Sequence, residues 1–228
     1  MKEMLDINNL EGSLGQRVYT VLRDRILDLG LEPGAILRKS VLCDQLNVSR
    51  SPVAEALGRL SSEGLVDIVP QSATRVSRFD MAELREEDFL REAVEVAAVA
   101  RFAANPAEDQ LVKLSRNLRL QSLLVEDGDD EGFFEADLDF HHLILSFTGF
   151  PNVARVAEDM TLQLRRARKL ILPKPGRPAE ALKEHQAVYD AIAERDIARA
   201  KTAMSEHLGQ LMHAIAPLEQ RHPEYFRS

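Results

Sequence analysis

Strand-forming sequence is confined to the first third of this 228-residue chain, and everything after about residue 80 reads as helix. An apolar stripe of Val18, Leu22, Ile26 and Leu29 recurs at helical spacing and predicts a helix over 14–29. Gly30 stops it, and Pro33-Gly34 makes a turn. A short helix over 40–46 closes at Asn47, a residue that tolerates the left-handed backbone of a helix end. Ser49 caps a third helix that runs to Gly64, with Pro52 in its first turn, where no amide donor is required. Residues 65–69 and 74–78 read as the strands of a hairpin around Pro70-Gln71-Ser72-Ala73. Six helices follow, at 86–104, 107–126, 131–148, 152–171, 178–194 and 197–214, with breaks at 105–106, 127–128, 149–151, 173–178 and 195–196. The fold class is therefore mainly α. The elements predict a winged helix-turn-helix over 1–78, a linker over 79–84 and an all-α six-helix bundle over 85–228.

Charge divides at the same place. Residues 1–78 hold ten basic and ten acidic side chains, so the net charge of −8 lies wholly in the second part. An acidic body repels a DNA duplex, which confines any DNA contact to the N-terminal part. No apolar run approaches the roughly 18 residues of a membrane span, and the N-terminus lacks the apolar stretch of a signal peptide. The single cysteine, Cys43, excludes an internal disulfide and suits a reducing compartment, so the expected location is the cytoplasm.

In a winged helix the third helix enters a major groove by its N-terminal end. Ser49, Arg50 and Ser51 lie there, and an arginine can fork onto a guanine edge. Thr74, Arg75 and Arg78 sit on the hairpin, placed to reach an adjacent groove or phosphate. A small helical domain with incidental arginines is the alternative that these elements alone leave open. The ordered string LEPGAIL, LNVSRSPVAEALGRLSSEGLV and PQSATRV resembles the GntR family signature along nearly all of 14–78. That resemblance implies double-stranded DNA as partner. Two positions depart from it: Ala54 stands where the family usually has Arg, and Ala73 where the wing usually has Gly. An atypical or weaker operator is the expected consequence.

Helical phase sorts the six histidines. On the helix over 131–148, Asp137 and His141 share the sector of Phe134, Leu138, Ile144 and Leu145, while Glu135, Asp139, His142 and Ser146 fall opposite. His185 is flanked by Leu182, Val188, Tyr189 and Ile192, and His207 shares a face with Ala200, Ala203, Met204 and Leu211. His213 lies off that face and His222 beyond the last clear helix. One carboxylate and three imidazoles, from three helices, thus point into one interior. Burying them unpaired is costly, and a divalent transition metal satisfies all four. Separate hydrogen-bonded core residues are the alternative.

The stretches ADLDFHHLI and KEHQAVYDAIAERDIARAKTAMSEHL resemble the FCD domain of FadR-type GntR regulators, over most of 85–213. A count of six helices resembles the VanR-like subgroup. In metal-containing members, Asp-x3-His and two later histidines are the ligands, and they fall on Asp137, His141, His185 and His207. One zinc, nickel or manganese ion per chain suits imidazole with carboxylate, and the resemblance implies a small carboxylate metabolite as effector. One recognition helix reads only a few base pairs, which predicts a homodimer on a palindromic operator. Arg91 and Glu95, one turn apart, form either an exposed ion pair or an inward arginine that forks onto the effector carboxylate. In the basic run Arg165, Arg166, Arg168 and Lys169, most side chains are expected on a solvated face, with one able to reach the cavity.

Three histidines and an aspartate could also serve a metallohydrolase. The chain has no H-E-x-x-H, no inward glutamate placed as a general base and no nucleophile motif, so no enzyme is expected. A purely structural dimerisation bundle is the third reading.

Overall fold

The computed structural model describes residues 7–69, 73–171 and 176–227. Contacts divide the chain into two compact units, Met1–Leu84 with Leu218–Ser228, and Arg85–Pro217.

The first unit is built from α1 (Leu14–Leu27), α2 (Lys39–Leu46), α3 (Arg50–Ser62), β1 (Val66–Ile68) and β2 (Thr74–Val76). Ser13 caps α1 by accepting the Gln16 amide at 3.2 Å. The apolar stripe of α1 (Val18, Leu22, Ile26) packs against Val53, Leu57 and Leu60 of α3, all fully or nearly fully buried. Gly30 is not what reverses the chain after α1. The helix ends at Leu27, and Leu29 takes the left-handed conformation (φ 58°). Asn47 closes α2 in that conformation (φ 51°), as its side chain favours.

β1 and β2 pair antiparallel with Val66 opposite Val76 and Ile68 opposite Thr74. Val66 and Val76 are buried, whereas Ile68 and Thr74, two residues away on the same face, are exposed and half-buried, so burial fades toward the turn. Residues 70–72 of the expected turn lie outside the described residues. The unit is completed from the far end of the chain. Phe226 forms a parallel bridge with Phe79, their rings 5.5 Å apart, while the Phe79 amide donates to Tyr225 O (2.9 Å) and the Arg227 amide to Phe79 O (2.7 Å). Residues 218–228, read from sequence as part of the helical domain, thus pack with the first unit.

The second unit contains α4 (Met81–Ala104) from Arg85 onward, α5 (Glu108–Asp127), α6 (Asp130–Ser146), α7 (Val153–Asp159), α8 (Leu162–Lys169), α9 (Arg177–Ala193) and α10 (Ile197–Arg221) up to Pro217. Three departures from the sequence reading matter. Residues 81–84, expected in a linker, already belong to α4. The helix expected over 152–171 is interrupted at Met160-Thr161, so the described residues of this unit hold seven helices where six were read. The last helix runs seven residues past the expected 214, through Pro217. Its core joins Val99 and Phe102 of α4, Leu114 of α5, Phe140 and Ile144 of α6, and apolar residues of α9 and α10.

Candidate metal centre and nucleic-acid interface

α6 turns the face predicted from its periodicity. Asp137 and His141 are buried, whereas Glu135, Asp139, His142 and Ser146 are exposed. α9 buries His185 completely and α10 buries His207, whereas His213 and His222 are exposed. One ligand atom from each of Asp137, His141, His185 and His207 lies within 4.8 Å of the others. His207 Nε2 stands 3.2 Å from both His185 Nε2 and His141 Nε2, and His185 Nε2 lies 3.5 Å from Asp137 Oδ1.

The outer edge of each ring explains why the inner nitrogens meet. His141 Nδ1 is 2.5 Å from Glu95 Oε2, His207 Nδ1 is 2.6 Å from Glu184 Oε2, and His185 Nδ1 is 2.8 Å from Gln121 Oε1. Gln121 is held in that orientation because its amide nitrogen donates to Asn117 Oδ1 (2.7 Å), while Asn117 donates to Ala136 O (2.9 Å). All three partners present an acceptor oxygen, so each Nδ1 carries the proton and each Nε2 a bare lone pair. The lone pair of His207 Nε2, 3.2 Å from those of both His185 and His141, is repelled by them unless a cation sits among the three. The separation also suits nitrogens about 2.0–2.1 Å from one shared ion.

The electrostatics keep Asp137, His185 and His207 in the form a metal needs. Burial pushes the pKa of His207 down to about 4, although the Glu184 hydrogen bond opposes it. Burial, then the neighbouring His207 and His141, push His185 well below the usual range. Burial pushes Asp137 upward, but Arg168, the adjacent histidines and Arg91 outweigh it and hold the carboxyl low. Glu184 is likewise held at about 2, burial being overcome by hydrogen bonds from Arg177 and His207.

Arg91 is buried rather than on the surface. Its Nε donates to Glu95 Oε1 (2.7 Å), and its Nη2 lies 3.1 Å from His141 Nε2. The basic run of α8 is not a solvated face either. Arg166 is fully buried beside Gln163 (2.5 Å), and Arg168 reaches inward, donating from Nη2 to Asp137 Oδ2. Arg91, Asp137, Arg168, Arg177 and His207 border a recess that opens to solvent, its space with the adjoining solvent amounting to about 450 Å³. Glu95, Gln121, Glu184 and Arg168 complete the site, and none was assigned to the metal centre from sequence. Glu184 precedes His185 directly, and Gln121 follows Asn117 by one helical turn, but neither spacing says which histidine it meets.

In the first unit, Ser49, Arg50, Ser51, Arg75 and Arg78 are exposed and Thr74 is half-buried. Ser49 occupies the N-cap position of α3, but its side chain makes no capping hydrogen bond, contrary to expectation. Arg75 Nη1 donates to Gly34 O (3.3 Å). Ala54 is exposed on α3, so its methyl group is what that face offers where the family has an arginine.

Residues 14–76 match the model of the bacterial regulatory proteins of the gntR family, and residues 89–210, more than half the chain, match the FCD domain. The chain belongs to the GntR family of regulators with an FCD domain. An uncharacterized HTH-type transcriptional regulator in an unstable DNA locus of Streptomyces ambofaciens is 36% identical, covering 92% of this chain and 88% of that protein. The HTH-type transcriptional repressor RspR of Escherichia coli K12 is 29% identical over 93% of both chains. A solved GntR regulator from Rhodococcus sp. RHA1 superposes with a TM-score of 0.78 at 25% identity, covering 90% of this chain and 99% of that one. GntR-family proteins are transcriptional regulators that bind DNA, not enzymes, so the metallohydrolase reading falls. All four clustered donors lie within the FCD match. Among the described residues, no helix is long and apolar enough to cross a membrane.

Proposed function

We propose that this GntR/FCD regulator binds its operator under the control of a small organic acid held beside a metal ion in the FCD domain. The observation that carries the metal reading is the convergence of three bare Nε2 atoms and the Asp137 carboxylate. Asp137, His141, His185 and His207 are the ligands, with Glu95, Gln121 and Glu184 fixing the rings from outside. The ion is zinc, nickel or manganese, one per chain. It supplies Lewis acidity toward an anionic oxygen and cross-links α6, α9 and α10. The arginines around the recess, Arg91 among them, complement a carboxylate. Metal analysis of protein purified without chelator tests the reading, with an effector screen by thermal shift in the presence and absence of added metal.

Ser49, Arg50, Ser51, Thr74, Arg75 and Arg78 form the DNA face. Exposure of the α3 N-terminus and of Arg75 and Arg78 on the hairpin side supports this assignment. Arg50→Ala is expected to weaken operator binding by about 1–3 kcal/mol, the range of a guanine fork, and to leave metal content unchanged. An unaltered affinity in a mobility shift at physiological salt would make Arg50 a bystander.

The protein acts in the cytoplasm as a homodimer on an inverted repeat, because one recognition helix reads only a few base pairs. The FCD helices supply the dimer contact. Sedimentation is expected to give a dimer at micromolar concentration, and a monomer with and without operator DNA would overturn this.

A further inference from the structure

We propose that Arg168 is an exchangeable side chain: a divalent cation at the four-residue centre takes Asp137 from it, and the freed guanidinium then holds the anionic effector. This rests on the metal reading above and adds the coupling between metal and effector.

Three guanidinium groups border the recess, those of Arg91, Arg168 and Arg177, and their anchoring differs. Arg177 forks onto Glu184 with both terminal nitrogens at 2.7 Å, and Arg91 is anchored through Nε to Glu95 at 2.7 Å. Glu95 and Glu184 face the Nδ1 edges of His141 and His207, away from the converging Nε2 atoms. A cation among those Nε2 atoms leaves both of these ion pairs standing. Only the lesser contact of Arg91 Nη2 with His141 Nε2 has to give way. Arg168 is held instead by Asp137, which is itself one of the four donors. A guanidinium and a divalent ion drawn to one buried carboxylate oppose each other as like charges, more strongly than they would in water. Arg168 therefore competes with the cation for its own anchor, whereas Arg177 does not and Arg91 yields one contact but keeps Glu95.

The charge count says what the released arginine takes up. Around the centre, the carboxylates of Glu95, Asp137 and Glu184 balance the three guanidinium groups, while Glu180, 3.6 Å from Arg177, is solvent-exposed and screened by water. A divalent cation leaves two positive charges in excess beside a recess lined by Arg168 and His207. A ligand with two negative charges restores neutrality, and the guanidinium fork matches a carboxylate in geometry as well as in charge. The effector class is accordingly a dicarboxylate in preference to a monocarboxylate.

The test uses the full-length protein with zinc, nickel and manganese in turn, and succinate and butyrate as dianionic and monoanionic probes. Arg168→Met removes the charge at similar length. It is expected to bind metal at least tenfold more tightly in chelator competition, and in its metal-loaded form to bind succinate at least tenfold more weakly. The wild-type protein is expected to bind succinate more tightly than butyrate, and only when loaded with metal. Reciprocity then requires succinate to raise metal affinity by the same factor, a measurement that needs no variant. Metal affinity unchanged or lowered in Arg168→Met would overturn the exchange and make Arg168 an orienting partner of the aspartate. Equal succinate affinity with and without metal in the wild-type protein would overturn it as well. Absence of metal binding in the wild-type protein would overturn the metal reading itself, and the exchange with it, before any variant is compared.

Discussion

His207→Ala is expected to lose its metal and its thermal stability together. The substitution removes the imidazole whose Nε2 lies 3.2 Å from both other ring nitrogens, so it takes away the donor nearest the middle of the cluster. A cation present at about a thousand times its dissociation constant stabilises the folded state by about 4 kcal/mol. In a protein of this length that corresponds to a fall in melting temperature on the order of 10 °C. The metal content of purified protein and the melting temperature, each measured with and without added zinc, nickel or manganese, report the two losses. Operator binding in the absence of effector should persist, and the effector response should be blunted. His142→Ala is the control: its ring is exposed and pairs with the exposed Glu158 (2.6 Å), away from the four donors, so metal content and stability should stay as in the wild type. A protein that carries no metal and gains no stability from any of the three ions would reduce the four residues to a hydrogen-bonded core cluster.

Glu95→Ala is expected to cost about 3–5 kcal/mol of stability, the range for removing one member of a buried ion pair. The Arg91 and Glu95 side chains are only 7% and 4% exposed, so the guanidinium left behind keeps its burial without its counter-ion. The same carboxylate orients His141, and loss of such an outer partner lowers metal affinity by about 10- to 100-fold. Glu95→Gln separates the two effects. Its amide oxygen still accepts from His141 Nδ1, so metal affinity should fall less than in the alanine variant, while the lost charge still destabilises Arg91. Denaturant unfolding and chelator competition measure the two quantities on the same samples. A cost below about 1 kcal/mol with unchanged metal affinity would show that Glu95 neither holds Arg91 in place nor sets the ring of His141.

Helical periodicity alone assigned Asp137 and His141 to the buried face of α6 and His142 to the exposed one, and selected His185 and His207 on their own helices. It succeeded because the repeat of 3.6 residues determines which side of a helix a residue occupies, whatever that side later packs against. The same local logic located the hairpin strands and the left-handed Asn47. It misplaced the reversal after α1, where Gly30 has the permissive backbone but Leu29 takes the positive φ. It also read one helix across Met160-Thr161, because apolar spacing continues through the break.

Only the tertiary structure decided which groups meet. Glu95 reaches His141 across 46 positions, Gln121 reaches His185 across 64, and the member of the basic run that reaches the donors is Arg168, which finds Asp137 at a separation of 31. No periodicity relates such pairs, since their encounter depends on how the helices cross and on the rotation of each about its own axis. The return of Phe226 to Phe79 has the same origin, because pairing between segments so distant in sequence is set by the packing of the whole unit and by neither strand alone. The sequence by itself determined the two-part architecture and the four inward donors, because both follow from local spacing. The tertiary structure decided the proton positions on the three rings and the partner of each arginine, because those depend on atoms brought together from different helices.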